Sequence, residues 1–168
     1  MLTEIDRSWC SPELGIKKDG ILLIISHQGK VLVVEEKTNK VLTGKTKGEI
    51  GVICETRDSK NEDNQETILR SIKEELGVKK EEMSYYFQKH SLNYLGIYNF
   101  IPGILAHTFT LKCTNPEGLA KKIEKNGDGE IGFVGWWTLD QLKNPQNGRK
   151  IRLGVRNVIE SISNFGNF

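Results

Sequence analysis

The sequence predicts an α/β fold in which one β-sheet is covered by helices on both faces. Two β-rich runs near the start, GILLIIS at 20–26 and VLVVEE at 31–36, are almost continuously apolar. Strands of this kind are buried on both faces, whereas a half-solvated strand alternates apolar and polar residues. Amphipathic segments at 63–78 and 151–162 carry the apolar stripes that would cover the two faces.

Length and domain organisation favour one compact unit. The chain has 168 residues, which suffices for one domain with a substantial core and is too few for two ordinary ones. We expect an irregular N-terminal arm over 1–19, one domain over 20–163 and a short tail over 164–168. The sequence contains no internal repeat.

Charge and cysteine usage limit the class of protein. The net charge of +2 comes from interspersed residues of both signs, so we expect no dedicated nucleic-acid surface. Cys10, Cys54 and Cys113 form no Cys-x-x-Cys pair and are odd in number, which predicts reduced thiols in a cytoplasmic protein. No stretch approaches membrane-spanning length, so no membrane association is expected.

The N-terminal half begins as a hairpin. The two apolar runs are separated by HQGK at 27–30, a turn signal between strands. A third strand is predicted over 49–54, and the basic residues Lys45 and Lys47 precede it.

The segment 63–78, DNQETILRSIKEELGV, carries clear helix start and stop signals. Asp63 and Glu66 have the spacing of a capping box, and Gly77 can end the helix in the left-handed conformation. At about 100° per residue, the apolar side chains fall on one stripe. Glu74 and Glu75 line up along its border.

These adjacent glutamates have two interpretations. They would repel each other at one edge of a buried face, and a hard divalent cation such as Mg²⁺ would remove the conflict because it prefers oxygen ligands. Alternatively, both are surface charges, and Glu66, Arg70 and Glu74 form pairs spaced i, i+4 that stabilise the helix. Spacing alone leaves both open.

The C-terminal half predicts further strands and a last helix. Aromatic strand-like segments lie at 85–87 and 94–100, and 104–112 alternates apolar and polar residues. His107 is on the apolar side of that alternation, so we expect a core or cleft-edge histidine and not a catalytic base. Residues 131–138 predict another strand, directly after Glu130.

The spacing around the helix resembles the Nudix box. That pattern is Gly, five residues, Glu, seven residues, then Arg-Glu-aliphatic-any-Glu-Glu-any-Gly-aliphatic, and it aligns with Glu62 and with RSIKEELGV at 70–78. Ser71 stands where the family has a glutamate. Thr56 stands at the glycine position, so the loop 56–61 is interpreted as an insertion. GWWTLDQL at 135–142 also resembles the family's Trp-aromatic-Ser/Thr-Leu-Asp-x-Leu segment.

The resemblance implies a Nudix-like α/β/α sandwich, with a mixed curved sheet between the box helix and a C-terminal helix. It also implies a pyrophosphohydrolase that cleaves a P–O–P bond in a nucleoside diphosphate linked to another group. Glu74 and Glu75 would hold Mg²⁺ or Mn²⁺, and Glu55 is a candidate replacement for the ligand missing at Ser71. Arg70 would orient Glu74 or Glu55.

Further roles follow from the same resemblance. Glu130 would be the general base or an extra metal ligand, and Asp128 is a second candidate, although both could be turn residues. The Lys45 and Lys47 loop would lie near phosphates, unless it is a solvated turn. The candidates to stack on a base are Tyr98, Phe100 and one of Trp136 and Trp137, which point to opposite faces of a strand. Core packing is the more frequent fate of such aromatic residues.

A binding module is the competing class of function. Because a hydroxyl at Ser71 cannot replace a carboxylate, a Nudix-like domain that binds a nucleotide or a protein without hydrolysis is also consistent with the sequence. A small-molecule nucleotide is the expected partner, and a homodimer is left open.

Overall fold

The computed structural model describes residues 18–59 and 61–162, and within them one mixed sheet of seven strands lies between two helical layers. The strands are β1 (Lys18–His27), β2 (Lys30–Glu36), β3 (Ile50–Gly51), β4 (Ile53–Thr56), β5 (Asn93–Ile101), β6 (Ile104–Lys112) and β7 (Ile131–Trp137). The helices are α1 (Asn64–Ser71), α2 (Met83–Tyr86), α3 (Pro116–Lys125), α4 (Leu139–Lys143) and α5 (Leu153–Ile162).

Strand β1 is the centre of the sheet. The strand order is β3-β2-β1-β6-β5, with β4 also paired to β1 and β7 also paired to β2. The β1–β6 pair is parallel, and the other pairs are antiparallel. Irregular register in the β2–β7 and β5–β6 pairs bends the sheet. The predicted mixed, curved sheet is therefore confirmed.

Alternate residues of β1 belong to different cores. Ile21 and Leu23 pack in a cluster with residues of α1 and α3, whereas Leu22 and Ile24 pack in a cluster with α5. Both faces of the strand are thus covered, as its continuous apolar sequence predicts. The α/β/α arrangement is confirmed.

Two elements differ from the prediction. The strand expected over 49–54 is divided into β3 and β4, because the chain leaves β2 after Gly51 and pairs with β1 from Ile53 onward. Helix α3 lies where no helix was predicted. The Asn115 side chain accepts from the backbone N–H of Gly118 and caps that helix.

The predicted arm lies outside the described residues over positions 1–17, as does the predicted tail. Strand β1 begins at Lys18, two residues before the predicted domain boundary. In residues 18–59 and 61–162, no helix combines the length and the apolar character needed to span a bilayer.

Candidate active site

The box helix begins as its sequence predicts and then widens. The Asp63 side chain accepts from the Glu66 backbone N–H, and the Glu66 side chain accepts from the Asp63 N–H. After Ser71 the chain continues as a π-helical turn over Ile72–Leu76, and Gly77 ends it with a φ of 73°. π-Helical turns are rare in proteins, but those that occur often lie at functional sites.

This π-helical turn carries two of the three predicted metal ligands, Glu74 and Glu75, and gives them different environments. Glu75 is 7% exposed, and its Oε2 accepts from the Glu130 backbone N–H at 3.2 Å. The Glu74 side chain remains 54% exposed. Burial raises the pKa of Glu75 to about 7, and the charges of Glu55 and Glu130 act in the same direction, although Lys45 opposes them.

The two glutamates open onto what we call the acidic pocket. Among the described residues that line it, six are carboxylates and two are cationic. The carboxylates are Glu55, Asp58, Glu74, Glu75, Asp128 and Glu130, and the cations are Lys40 and Arg70. The structure therefore brings together every carboxylate that the sequence nominated for catalysis or metal binding.

Arg70 connects several of these groups. Its Nη1 lies 3.4 Å from Glu74 Oε2 and 3.8 Å from Glu55 Oε1. Its Nη2 donates to Glu62 Oε1 at 2.9 Å and to the Thr56 carbonyl at 2.8 Å. The guanidinium is thus held by Glu62 and Thr56 in a position from which it can orient Glu55 and Glu74.

Glu130 is ion-paired with two lysines. Its Oε2 lies 2.8 Å from Lys45 Nζ and 3.0 Å from Lys40 Nζ. The hydrogen bond from Lys45 lowers the pKa of Glu130, and Lys40 adds to this effect, while burial opposes it. Lys45 is itself nearly buried and lies 3.0 Å from Glu36 Oε2.

The donor set of the acidic pocket fits a hard divalent cation. All the anionic groups are carboxylate oxygens, the ligands that Mg²⁺ and Mn²⁺ prefer. In the described part of the chain, no three His, Cys, Asp or Glu side chains already converge on one metal position. Arg70, Lys40 and Lys45 are ion-paired with these carboxylates, so a metal cation would replace some of these ion pairs.

A second pocket, which we call the basic pocket, adjoins the acidic one. Lys40, Glu55, Thr56 and Glu130 line both. Beyond this shared wall, the basic pocket is lined by two further cations and by apolar side chains: Lys45, Arg152, Phe100, Ile104, Leu105 and Ala106. The combined site is therefore polarised, with an excess of carboxylates at one end and an excess of cations at the other.

Lys40 and Arg152 were not predicted as site residues. Arg152 precedes α5 and is 5% exposed, and its Cζ lies 4.9 Å from the centre of the Phe100 ring. Lys40 begins a tight turn that is closed by backbone bonding to Lys45. No spacing signal marks either residue, because only the packing of the turn against the start of α5 brings them together.

The other predicted substrate residues lie elsewhere. Lys47 and Trp137 line two different surface pockets. Tyr98 packs on the α5-side core, and its hydroxyl donates to the Leu95 carbonyl at 3.4 Å. Of the six substrate-binding candidates, only Lys45 and Phe100 line the basic pocket, and Trp136 lines another surface pocket.

Two polar residues near the box are buried away from both pockets. His107 is fully buried, and its Nε2 lies 3.2 Å from Asp19 Oδ2, which agrees with the expected core position. Ser71 is also fully buried, and its Oγ has no hydrogen-bond partner among the described residues. Neither side chain lines the acidic or the basic pocket.

The α/β/α sandwich, with an acidic pocket beside the box helix, is the arrangement that the sequence resemblance predicts. Residues 17–155 match the family model described as the NUDIX domain, and the chain therefore belongs to the Nudix family. The predicted family and enzyme class, a Nudix-type hydrolase, are confirmed. A comparison with curated protein sequences found no match to the chain.

Solved structures agree on the fold. A NUDIX hydrolase from Nitrosomonas europaea is 16% identical, with a TM-score of 0.55 over 88% of this chain and 89% of that one. A MutT NUDIX hydrolase from Burkholderia pseudomallei is 17% identical, with a TM-score of 0.55 over 86% and 97%. A mutT/nudix family protein from Listeria innocua is 16% identical, with a TM-score of 0.54 over 89% and 93%.

Proposed function

We propose that this protein is a divalent-metal-dependent pyrophosphohydrolase that cleaves the P–O–P bond of a nucleoside diphosphate linked to another group. The observation that carries the proposal is that Glu55, Glu74, Glu75 and Glu130 line one acidic pocket, which shares a wall with a basic one. A diphosphate at the junction would have carboxylates for its metal on one side and cations for its charge on the other.

Glu74, Glu75 and Glu55 are the residues that would hold Mg²⁺ or Mn²⁺. When bound, the metal would lower the pKa of the attacking water and neutralise negative charge on the phosphate oxygens. Arg70 contacts both Glu55 and Glu74, and would keep these two side chains in place for binding.

The lysines at the junction would bind the phosphates. Lys40 lines both pockets and Lys45 lines the basic one, and each lies within 3.0 Å of Glu130. A lysine is a compact point charge that suits phosphate oxygens. Phosphate binding would therefore draw Lys40 and Lys45 away from Glu130.

That exchange would prepare Glu130 as the general base. In its ion-paired form, a carboxylate with a lowered pKa is a weak proton acceptor. When Lys40 and Lys45 bind the substrate phosphates instead of Glu130, the pKa of Glu130 would rise. Glu130 would then be a stronger proton acceptor when the substrate is bound. The water proton would then pass to a Glu130 carboxylate oxygen.

The departure at Ser71 supports the second candidate, a nucleotide-binding module without hydrolysis. A hydroxyl there supplies no charge, and it is buried away from the pocket. Glu55 favours the enzyme, because it brings a further carboxylate to the same pocket from strand β4.

The free thiols of Cys54 and Cys113 support the proposed cytoplasmic location.

The test is phosphate-bond cleavage measured on a panel of nucleoside triphosphates, ADP-ribose, nucleotide sugars and dinucleoside polyphosphates, with Mg²⁺ and then Mn²⁺. We expect turnover of at least one compound, loss of turnover with excess EDTA, and a decrease of at least about 100-fold in Glu75→Gln. Glu81→Gln is the matched control, because Glu81 is an exposed glutamate in a nearby turn.

The outcomes separate the two candidates. Turnover that survives in Glu75→Gln would contradict the assigned metal site. A folded protein that cleaves nothing in the panel, yet is stabilised against heat by one of these compounds, would instead establish the binding module.

A further inference from the structure

Arg152 occupies an unusual position for a cation, because it is 5% exposed and lines only the basic pocket. Its Nη1 donates to Glu36 Oε1 at 3.2 Å, and its Nη2 donates to the Thr43 carbonyl at 2.8 Å. The third nitrogen, Nε, is buried and has no hydrogen-bond partner in residues 18–59 and 61–162. A buried donor without an acceptor is costly, so a ligand that supplies one gains affinity.

The surroundings of Arg152 suit a flat, partly polar ring. Its guanidinium carbon lies 4.9 Å from the centre of the Phe100 ring, and Ile104 and Ala106 add apolar surface to the same pocket. Glu36 is shared between Arg152 and Lys45, so two buried cations have this carboxylate in common. The pocket therefore combines apolar contact with an excess of hydrogen-bond donors.

The position of Arg152 relative to the lysines indicates which part of a substrate it would meet. Lys40 and Glu130 line both pockets and mark the junction where the diphosphate would lie. Arg152 contacts Glu36 and Thr43, and does not line the acidic pocket. A ligand whose phosphates occupy the junction would thus place its nucleoside, not its phosphates, against Arg152.

We propose that Arg152 is a specificity-determining residue whose Nε–H donates to an oxygen or nitrogen acceptor on the nucleobase, with the base packed beside Phe100. This inference rests on the proposed function, since it takes the substrate to be a nucleotide. It adds which pocket receives the nucleobase and which side chain distinguishes one base from another. The guanidinium remains a fixed donor because Glu36 and the Thr43 carbonyl hold its other two nitrogens.

The first test is calorimetric binding of the four nucleoside monophosphates AMP, GMP, CMP and UMP, and of ribose 5-phosphate, which has no base. In Arg152→Lys we expect the tightest monophosphate to bind about tenfold more weakly, and ribose 5-phosphate to bind as it does to the wild type. Arg149→Lys is the matched control, because Arg149 is 37% exposed and pairs with Glu35 outside both pockets.

Three results would overturn the proposal. In the first, Arg152→Lys loses affinity for ribose 5-phosphate and for the nucleotide by the same factor. In the second, Arg152→Lys binds the nucleotide as tightly as the wild type does. In the third, the wild type binds none of the four monophosphates. The first result would mean that Arg152 contacts phosphate or only supports the fold.

A second measurement uses the unmodified protein, so it does not depend on whether a variant folds. The ¹H–¹⁵Nε cross-peak of Arg152 should shift downfield on saturation with the tightest monophosphate and stay in place with ribose 5-phosphate. An unchanged chemical shift of this cross-peak on addition of the nucleotide would contradict the assigned hydrogen bond.

Binding and turnover also separate this inference from the proposed function. If nucleotides bind in an Arg152-dependent way but nothing is cleaved, hydrolysis is contradicted and the base contact stands. If compounds are cleaved while binding is independent of Arg152, the base contact is contradicted and hydrolysis stands.

Discussion

Thr67 and Ser71 lie one turn apart on the box helix, and their fully buried hydroxyl groups differ in hydrogen bonding. Thr67 Oγ1 lies 2.5 Å from Glu62 Oε1 and 2.9 Å from the Asp63 carbonyl. Ser71 Oγ has no such partner among the described residues. Burying a hydroxyl without a hydrogen bond costs free energy, whereas a hydroxyl bonded to a carboxylate stabilises the fold.

We therefore expect opposite results from removing these two hydroxyls. Ser71→Ala should leave the free energy of unfolding unchanged or raise it by up to about 1 kcal/mol, because it removes an unpaired polar group. Thr67→Val, the matched control, should lower it by about 1–3 kcal/mol, because Glu62 loses a donor. Urea unfolding at pH 7 measures both, and equal destabilisation would indicate that Ser71 has a partner.

At the scale of the element, the π-helical turn determines the character of the site. In it, the Gly77 backbone N–H donates to the Ile72 carbonyl, five residues earlier. Glu75 lies inside and Glu74 outside, although the two are adjacent in sequence. Adjacent residues of a helix point about 100° apart, so one of two neighbouring glutamates can face the core while the other faces solvent.

Glu62 joins the loop after β4 to helix α1, and this connection should depend on pH. Hydrogen bonds from Arg70 and Thr67 lower the pKa of Glu62 below its ordinary 4.5 and outweigh burial, which acts in the opposite direction. A carboxyl group with a lowered folded-state pKa stabilises the fold above its unfolded value, and this stability is lost as pH falls through the folded value.

The expected result for Glu62→Gln is a free energy of unfolding about 2 kcal/mol lower at pH 7, because hydrogen bonds to a charged group are lost. The difference from the wild type should shrink as the pH falls below 4.5. Urea titrations at several pH values measure it, with the exposed Glu124→Gln as control. A difference that stays constant down to pH 3 would refute the ionic contribution.

At the scale of the whole molecule, the C-terminal helix packs on a side chain that also lines the site. Phe100 lies near the end of β5, packs in the same core cluster as α5 and lines the basic pocket. A Cβ added at Gly154 would lie 2.3 Å from Phe100 Cε1, so the helix can approach the sheet this closely only because residue 154 is glycine. Packing of α5 therefore determines where the Phe100 ring lies.

Gly154→Ala tests this dependence. Overpacking should lower the free energy of unfolding by about 1–3 kcal/mol and displace the Phe100 ring. Because that ring borders the basic pocket, KM should rise more than kcat falls. Urea unfolding and steady-state kinetics measure the two effects, with the exposed Arg156→Ala on the same helix as control. Unchanged stability would mean that the ring moves aside without cost.

The features that could be predicted from the sequence depend on residues close together in the chain. The capping box at Asp63 and Glu66 and the stop at Gly77 involve neighbours within a few positions. The two-sided burial of β1 follows from its continuous apolar sequence. The box spacing identified the family because it is a long local pattern.

The composition of the site was decided by tertiary structure. Lys45 meets Glu130 from 85 residues away, and Arg152 meets Glu36 from 116. Local propensity carries no information about such pairs, because strand order and the packing of loops at the sheet edge bring them together. For the same reason Lys47 and Trp137, plausible by residue type, lie outside the site, whereas Lys40 and Arg152 line it.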